Sequence, residues 1–108
     1  DIYVTGDLGD SYLGFLILKK KIKLNKKLSS YFINQYYKPE IKYSLIDCLD
    51  KFATSSIDLS DGLISDLEKM INNQNNSYQI YFDKIPLSSN LKSVVNQRSF
   101  YYMLMFIV

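Results

Sequence analysis

Within four residues the sequence places two carboxylates and a hydroxyl: Asp58, Ser60 and Asp61. They lie in the run Ser55-Ser56-Ile57-Asp58-Leu59-Ser60-Asp61-Gly62-Leu63-Ile64-Ser65-Asp66-Leu67. Short carboxylates suit hard cations such as Mg²⁺, which takes oxygen ligands and bridges to substrate phosphates. The apolar residues that follow, Leu63, Ile64, Leu67, Met70 and Ile71, share one helix face. The run therefore reads as a strand that turns into a helix near Asp61. The unpaired amides and positive dipole end of that helix favour anions. Carboxylates, a hydroxyl and a helix N-terminus together suit a Mg–nucleotide site.

A purely structural reading competes with this one. Ser and Asp are preferred helix N-caps, so Ser60 or Asp61 can serve the backbone alone, with Gly62 easing the turn. Capping leaves Asp58 unexplained. An ionised group inside an apolar and hydroxylic strand is costly unless it is paired or bound to a cation.

Composition narrows the chemistry. The chain has no His, which excludes Ser–His–Asp and Cys–His catalysis and His-based zinc sites. The single cysteine, Cys48, can form no internal disulfide and fits a reducing cytoplasm. In Leu45-Ile46-Asp47-Cys48-Leu49 it is expected to be buried and to pack rather than to act as a nucleophile. The net charge of +2 is too small to imply a nucleic-acid partner. The cluster Lys19, Lys20, Lys21, Lys23, Lys26 and Lys27 reads as a solvated helix end and its loop. No apolar run reaches membrane-spanning length, so no membrane partner is expected.

The elements that must position the loop follow from periodicity and caps. Ile2 to Thr5 reads as a short strand. Asp10 can cap a helix from Ser11, whose apolar residues Leu13, Phe15, Leu16, Ile17 and Leu18 imply deep burial. Leu28, Phe32, Ile33 and Tyr36 suggest a second helix, stopped by Pro39. Leu45, Ile46, Leu49 and Phe52 mark a third, leading into the strand that carries Ile57. After the helix from Asp61, residues 78 to 82 alternate like a strand. Ser88 or Ser89 then caps a helix containing Leu91, Val94 and Val95, and the apolar run 100–108 reads as a buried strand or an aggregation-prone tail. Alternating strands and helices give an α/β sandwich, a mixed sheet with helices on one face. With 108 residues there is room for one domain.

The run from Ile57 to Leu67 closely resembles the Ile-Asp-Leu-Ser-Asp-Gly-Leu motif of bacterial thiamine-monophosphate kinases, in the aminoimidazole-ribonucleotide synthetase superfamily. Ile2-Tyr3-Val4-Thr5-Gly6-Asp7-Leu8-Gly9-Asp10-Ser11 with Gly14 is similar to the segment opening their second domain. Lys38-Pro39 and Ile85-Pro86-Leu87-Ser88 match two further family features in order. The resemblance implies that residues 1–108 are a partial carboxy-terminal domain of a kinase-like protein, with that superfamily's incomplete α/β fold. It implies Asp58 and Asp61 as magnesium ligands and Ser60 as an ATP contact. The implied reaction passes the γ-phosphoryl group of ATP to thiamine monophosphate, giving thiamine diphosphate.

The related kinases carry an amino-terminal domain with further magnesium-binding aspartates. They also continue with a Gly-Gly-Glu-Asp-Tyr-Glu-Leu segment, where this chain reads Arg98-Ser99-Phe100-Tyr101-Tyr102-Met103-Leu104. The chain begins without an initiator Met, within a strand-like segment. It is therefore expected to be part of something longer, inactive alone and reliant on an amino-terminal domain or a homodimer partner. The alternative is a non-catalytic interaction module or decayed remnant that packs against a partner chain.

Overall fold

The chain is described by a computed structural model that covers residues 1–72 and 74–94. Its first helix, α1 (Asp10–Leu18), starts after Gly9, whose φ of 94° lies in the left-handed region that glycine adopts without strain. The second, α2 (Lys26–Tyr37), is capped by Asn25, whose side chain accepts from the Leu28 amide at 2.9 Å. It ends where Lys38 leaves helical backbone, directly before Pro39, as the proline rule requires. Lys19 to Asn25 form the connection, so the lysine cluster does mark a helix end and its loop.

Helices α1 and α2 pack through an unusually close approach. A Cβ built on Gly14 would lie 2.2 Å from the carbonyl oxygen of Phe32 and 2.8 Å from its carbonyl carbon. Only glycine leaves room for that contact. Phe32 and Leu13 are fully buried there with Leu91, and Leu16, Ile17, Ile22, Leu24, Leu28 and Val94 close around them. The deep burial expected of all α1 is thus confined to one side. Leu13 and Gly14 are buried, Phe15 to Ile17 are half-buried, and Leu18 is exposed.

After a short 3₁₀ turn (Tyr43–Leu45) comes α3 (Ile46–Phe52), then α4 (Leu63–Ile71), a second 3₁₀ turn (Phe82–Lys84) and α5 (Ser89–Val94). Leu63 on α4 meets Leu8 and Ile85 in a second apolar cluster, flanked by Val4, Leu59, Ile80 and Leu87. Leu87 borders both clusters and joins them. The amide of Leu8 donates to the carbonyl of Pro86 at 2.9 Å, fixing the segment before α1 against the segment before α5.

The expected α/β sandwich is overturned. Among the described residues every regular element is helical, and no strand or sheet forms. Residues 2–5, 55–59 and 78–81 carry no regular structure, and 82–84 form the 3₁₀ turn. An alternating apolar pattern marks backbone suited to a sheet, yet a strand is stabilised only by a neighbour it can pair with. No two of these segments pair. Val95 and the expected strand or tail at 100–108 lie outside the described residues. Cys48 corrects another expectation: it is free and exposed rather than buried. Among the described residues no helix is long and apolar enough to cross a membrane.

Candidate functional site

The loop from Ser55 to Gly62 delivers the chain into α4, and its end is shaped by a carboxylate outside the expected set. Asp66, in the first turn of α4 and 1% exposed, turns back over the helix N-terminus. Its Oδ2 accepts the amide N–H groups of Ser60 at 2.7 Å, Asp61 at 2.9 Å and Gly62 at 3.2 Å. Its Oδ1 accepts from Lys69 Nζ at 2.8 Å. The Lys69 ammonium, with the Ser60 and Asp61 amides, holds the Asp66 carboxyl down to about 2. Each donor favours the ionised form, and together they outweigh the cost of burial.

This corrects both readings of the helix start. Helix α4 begins at Leu63 rather than near Asp61, and neither the Ser60 nor the Asp61 side chain caps it. The amides expected to await an external anion already serve an internal one. Gly62 is required for another reason, since its φ of 119° is a conformation that side chains rarely adopt.

Of the expected site residues, Asp58 is exposed and, among the described residues, has no hydrogen bond or ion pair. Asp61 is exposed, and its Oδ2 is paired with Lys69 Nζ. Lys69 therefore spans Asp61 and Asp66, and these carboxylates raise the affinity of its amine for a proton, Asp61 most. Ser60 is exposed, and it meets Asp66 through its backbone amide. The structure thus joins Asp61 to Asp66 through Lys69 and leaves the Asp58 side chain open to solvent. Sequence reasoning missed Asp66 and Lys69. Their signal was an acid four residues after Gly62 and a base three residues further along the same helix.

The donor set can be tested against Mg²⁺. Among the described residues no group of three or more His, Cys, Asp or Glu side chains could hold a metal unaided. Mg²⁺ does not need such a cage, because it commonly takes one or two carboxylates and completes its shell with phosphate oxygens and water. Asp58 and Asp61, exposed on one loop, fit a metal shared with substrate phosphates. They do not fit a stand-alone structural metal.

A second polar cluster ties α1 to α2 and to the start of α5. Asp10, 6% exposed, accepts from Tyr31 Oη at 2.7 Å and Ser88 Oγ at 2.8 Å. Ser88 Oγ in turn accepts the Leu91 amide at 3.0 Å, the N-cap bond of α5. Burial raises the Asp10 carboxyl above its ordinary 3.8, opposed by its two hydroxyl donors. Asp10 was expected to cap α1, but it is the helix's first residue and bridges to α2 and α5 instead.

An open groove of about 400 Å³ lies beside α3, upstream of the acidic loop. Ile46, Leu49, Asp50, Ala53, Thr54, Ser55 and Ser56 line it, so it includes none of Asp58, Ser60 and Asp61.

Comparison with known proteins bears directly on this loop. No family model matches the chain, and no solved structure matches it. Curated relatives do. It is 42% identical over 91 residues to a thiamine-monophosphate kinase of Buchnera aphidicola subsp. Acyrthosiphon pisum, covering 83% of this chain and 28% of the relative. It is 36% identical over 91 residues to that of Escherichia coli (strain K12), with 83% and 28% covered. It is 34% identical over 92 residues to that of Leptospira interrogans, with 83% and 30% covered. The chain thus spans less than a third of the length of these relatives. By sequence it is a relative of the thiamine-monophosphate kinases, matched along most of its own length.

Proposed function

We propose that the chain is the carboxy-terminal part of an ATP-dependent thiamine-monophosphate kinase. The reaction passes a phosphoryl group from ATP to thiamine monophosphate and yields thiamine diphosphate, in the cytoplasm. The observation that carries this reading is the exposed Asp58–Asp61 loop, lying within a chain that matches named kinases at up to 42% identity. Phosphoryl transfer needs positioning and charge neutralisation more than a protein nucleophile, which suits a chain without His.

Asp58 and Asp61 hold Mg²⁺, and Ser60 contacts the nucleotide. Bound there with ATP, Mg²⁺ would neutralise charge on the triphosphate oxygens. Asp66 keeps the loop in place by tying down its three amides, so the carboxylates of positions 58 and 61 stay on the solvent side. The chain alone has no turnover, because the remaining length of the relatives must supply the other part of the site. A coupled assay that detects thiamine diphosphate made by this chain alone would sink that statement.

The test is an amide spectrum of the ¹⁵N-labelled chain with and without Mg–ATP. Shifts clustered at residues 58–63, lost when Asp58 and Asp61 are both changed to Asn, support the assignment. Shifts elsewhere, or none, overturn it.

One observation favours a second reading, a non-catalytic module that packs against a partner chain. On α3, Ile46, Leu49 and Phe52 are 58%, 44% and 82% exposed, and Ile41 and Tyr43 beside them are exposed too. Contiguous exposed apolar surface of this kind marks interaction sites. Light scattering at rising concentration, repeated with Phe52→Glu, separates the readings. Association that disappears in the variant belongs to the module.

A further inference from the structure

We infer that Lys69 is a built-in counter-ion for the acidic loop: it holds the Asp61 carboxylate while no divalent cation is bound and yields it when one arrives. This rests on the reading of Asp58 and Asp61 as magnesium ligands and adds a residue that the reading does not contain.

Asp66 is committed. Its Oδ2 serves three amides, and its Oδ1 faces Lys69, so it is not free to ligate a metal. Its role toward the loop is to hold the Lys69 ammonium within reach of Asp61, using the i, i+3 spacing on α4. Lys69 and Asp61 differ from Asp66 in exposure. Their side chains are 48% and 63% exposed, so neither is locked by packing. An ammonium on a four-carbon stem is a compact charge that can move to solvent or to an incoming phosphate without moving the helix.

The charges are consistent with such an exchange. Asp58, Asp61 and Asp66 with Lys69 leave two negative charges, the number one divalent cation neutralises. A cation that takes an oxygen of Asp61 must displace the ammonium or share the carboxylate with it, at a repulsive distance. Lys69 therefore weakens the loop's hold on a bare divalent ion. It stays paired to Asp66 or turns to a phosphate once displaced.

Titration of Mn²⁺, a paramagnetic substitute for Mg²⁺, into the ¹⁵N-labelled 108-residue chain reads this out by broadening of the 58–62 amides. Lys69→Gln should lower the Mn²⁺ concentration for half-broadening about two- to fivefold, the fold-change an exposed ion pair commands. Lys69→Arg, which keeps the positive charge, should remain near wild type. If wild type binds and Lys69→Gln binds no tighter, the inference is overturned and the ligand assignment stands. If neither protein broadens at 58–62, the inference is overturned, while the ligand assignment, which rests on a metal shared with phosphate, is decided by the Mg–ATP spectrum. A measurement on the unaltered chain covers the case where Lys69→Gln does not fold. Saturating Mg²⁺ should shift the Lys69 ε-CH₂ resonances as the ammonium loses Asp61, and unmoved resonances overturn the inference.

Discussion

The Oδ2 atom of Asp66 lies 2.7 Å from the amide nitrogen of Ser60, and the same oxygen gathers the amides of Asp61 and Gly62. A single carboxylate in the first turn of α4 thereby sets the path of the acidic loop that precedes it.

Replacing that carboxylate should be felt more than replacing its exposed neighbour. Asp66→Ala strands three amides without their acceptor, whereas Asp61→Ala removes one side of an exposed ion pair. Thermal unfolding should show the midpoint of Asp66→Ala several degrees below that of Asp61→Ala. Equal midpoints would contradict the arrangement.

The two buried carboxylates pull acid stability in opposite directions. Asp66 is depressed from 3.8 to about 2 in the fold, so its contribution is complete above 3.8 and is lost as pH falls through about 2. Asp10 is raised above 3.8, so the folded state holds its proton more tightly than the unfolded chain does. Its effect favours folding below 3.8 and is lost as pH rises through the raised folded value. Asp66→Asn should flatten the acid limb of a denaturant-midpoint profile. Asp10→Asn should flatten the decline between 3.8 and the raised folded value, and it should be milder than Asp10→Ala because an amide oxygen can still accept from Ser88.

Gly14→Ala places a methyl against the Phe32 carbonyl and forces α1 away from α2. Overpacking of this kind costs about 1–3 kcal/mol, and Phe32→Ala, which empties the centre of the same contact, about 3–5 kcal/mol. Urea midpoints at constant slope would verify both. A neutral Gly14→Ala would mean that the helices sit further apart than described.

Asp58→Asn separates function from folding. The side chain is exposed and, among the described residues, unpaired, so stability should stay within about 0.5 kcal/mol of wild type. The response of the 58–63 amides to Mg–ATP should nevertheless vanish. A variant that responds like wild type would remove Asp58 from the ligand set.

Helices were easier to read from this sequence than anything that depends on a distant partner. Pro39 and Ser88 act on their own backbone neighbourhood, so the end of α2 and the start of α5 follow from a few adjacent residues. The strands failed because alternation at 2–5, 55–59 and 78–82 states a preference without naming a neighbour. In the loop, Asp58, Ser60 and Asp61 stood out by type and spacing. Asp66 and Lys69 did not, because a carboxylate reaching backwards looks in sequence like one more polar residue on an amphipathic helix. Gly14 entered through family resemblance and Ser88 as a helix cap, and the packing adds a role to each. One admits the Phe32 backbone, and the other ties α5 to Asp10.

The hydrogen bond between Ser88 and Asp10 joins residues 78 positions apart. It governs where the polypeptide can be divided. A shorter piece that stops before Ser88 loses Leu91 from the cluster around Phe32 and leaves the Asp10 carboxylate with Tyr31 alone. A piece that starts after Asp10 strands the Ser88 hydroxyl instead. The smallest autonomous unit must therefore contain both, and limited proteolysis should release no stable product cut between them.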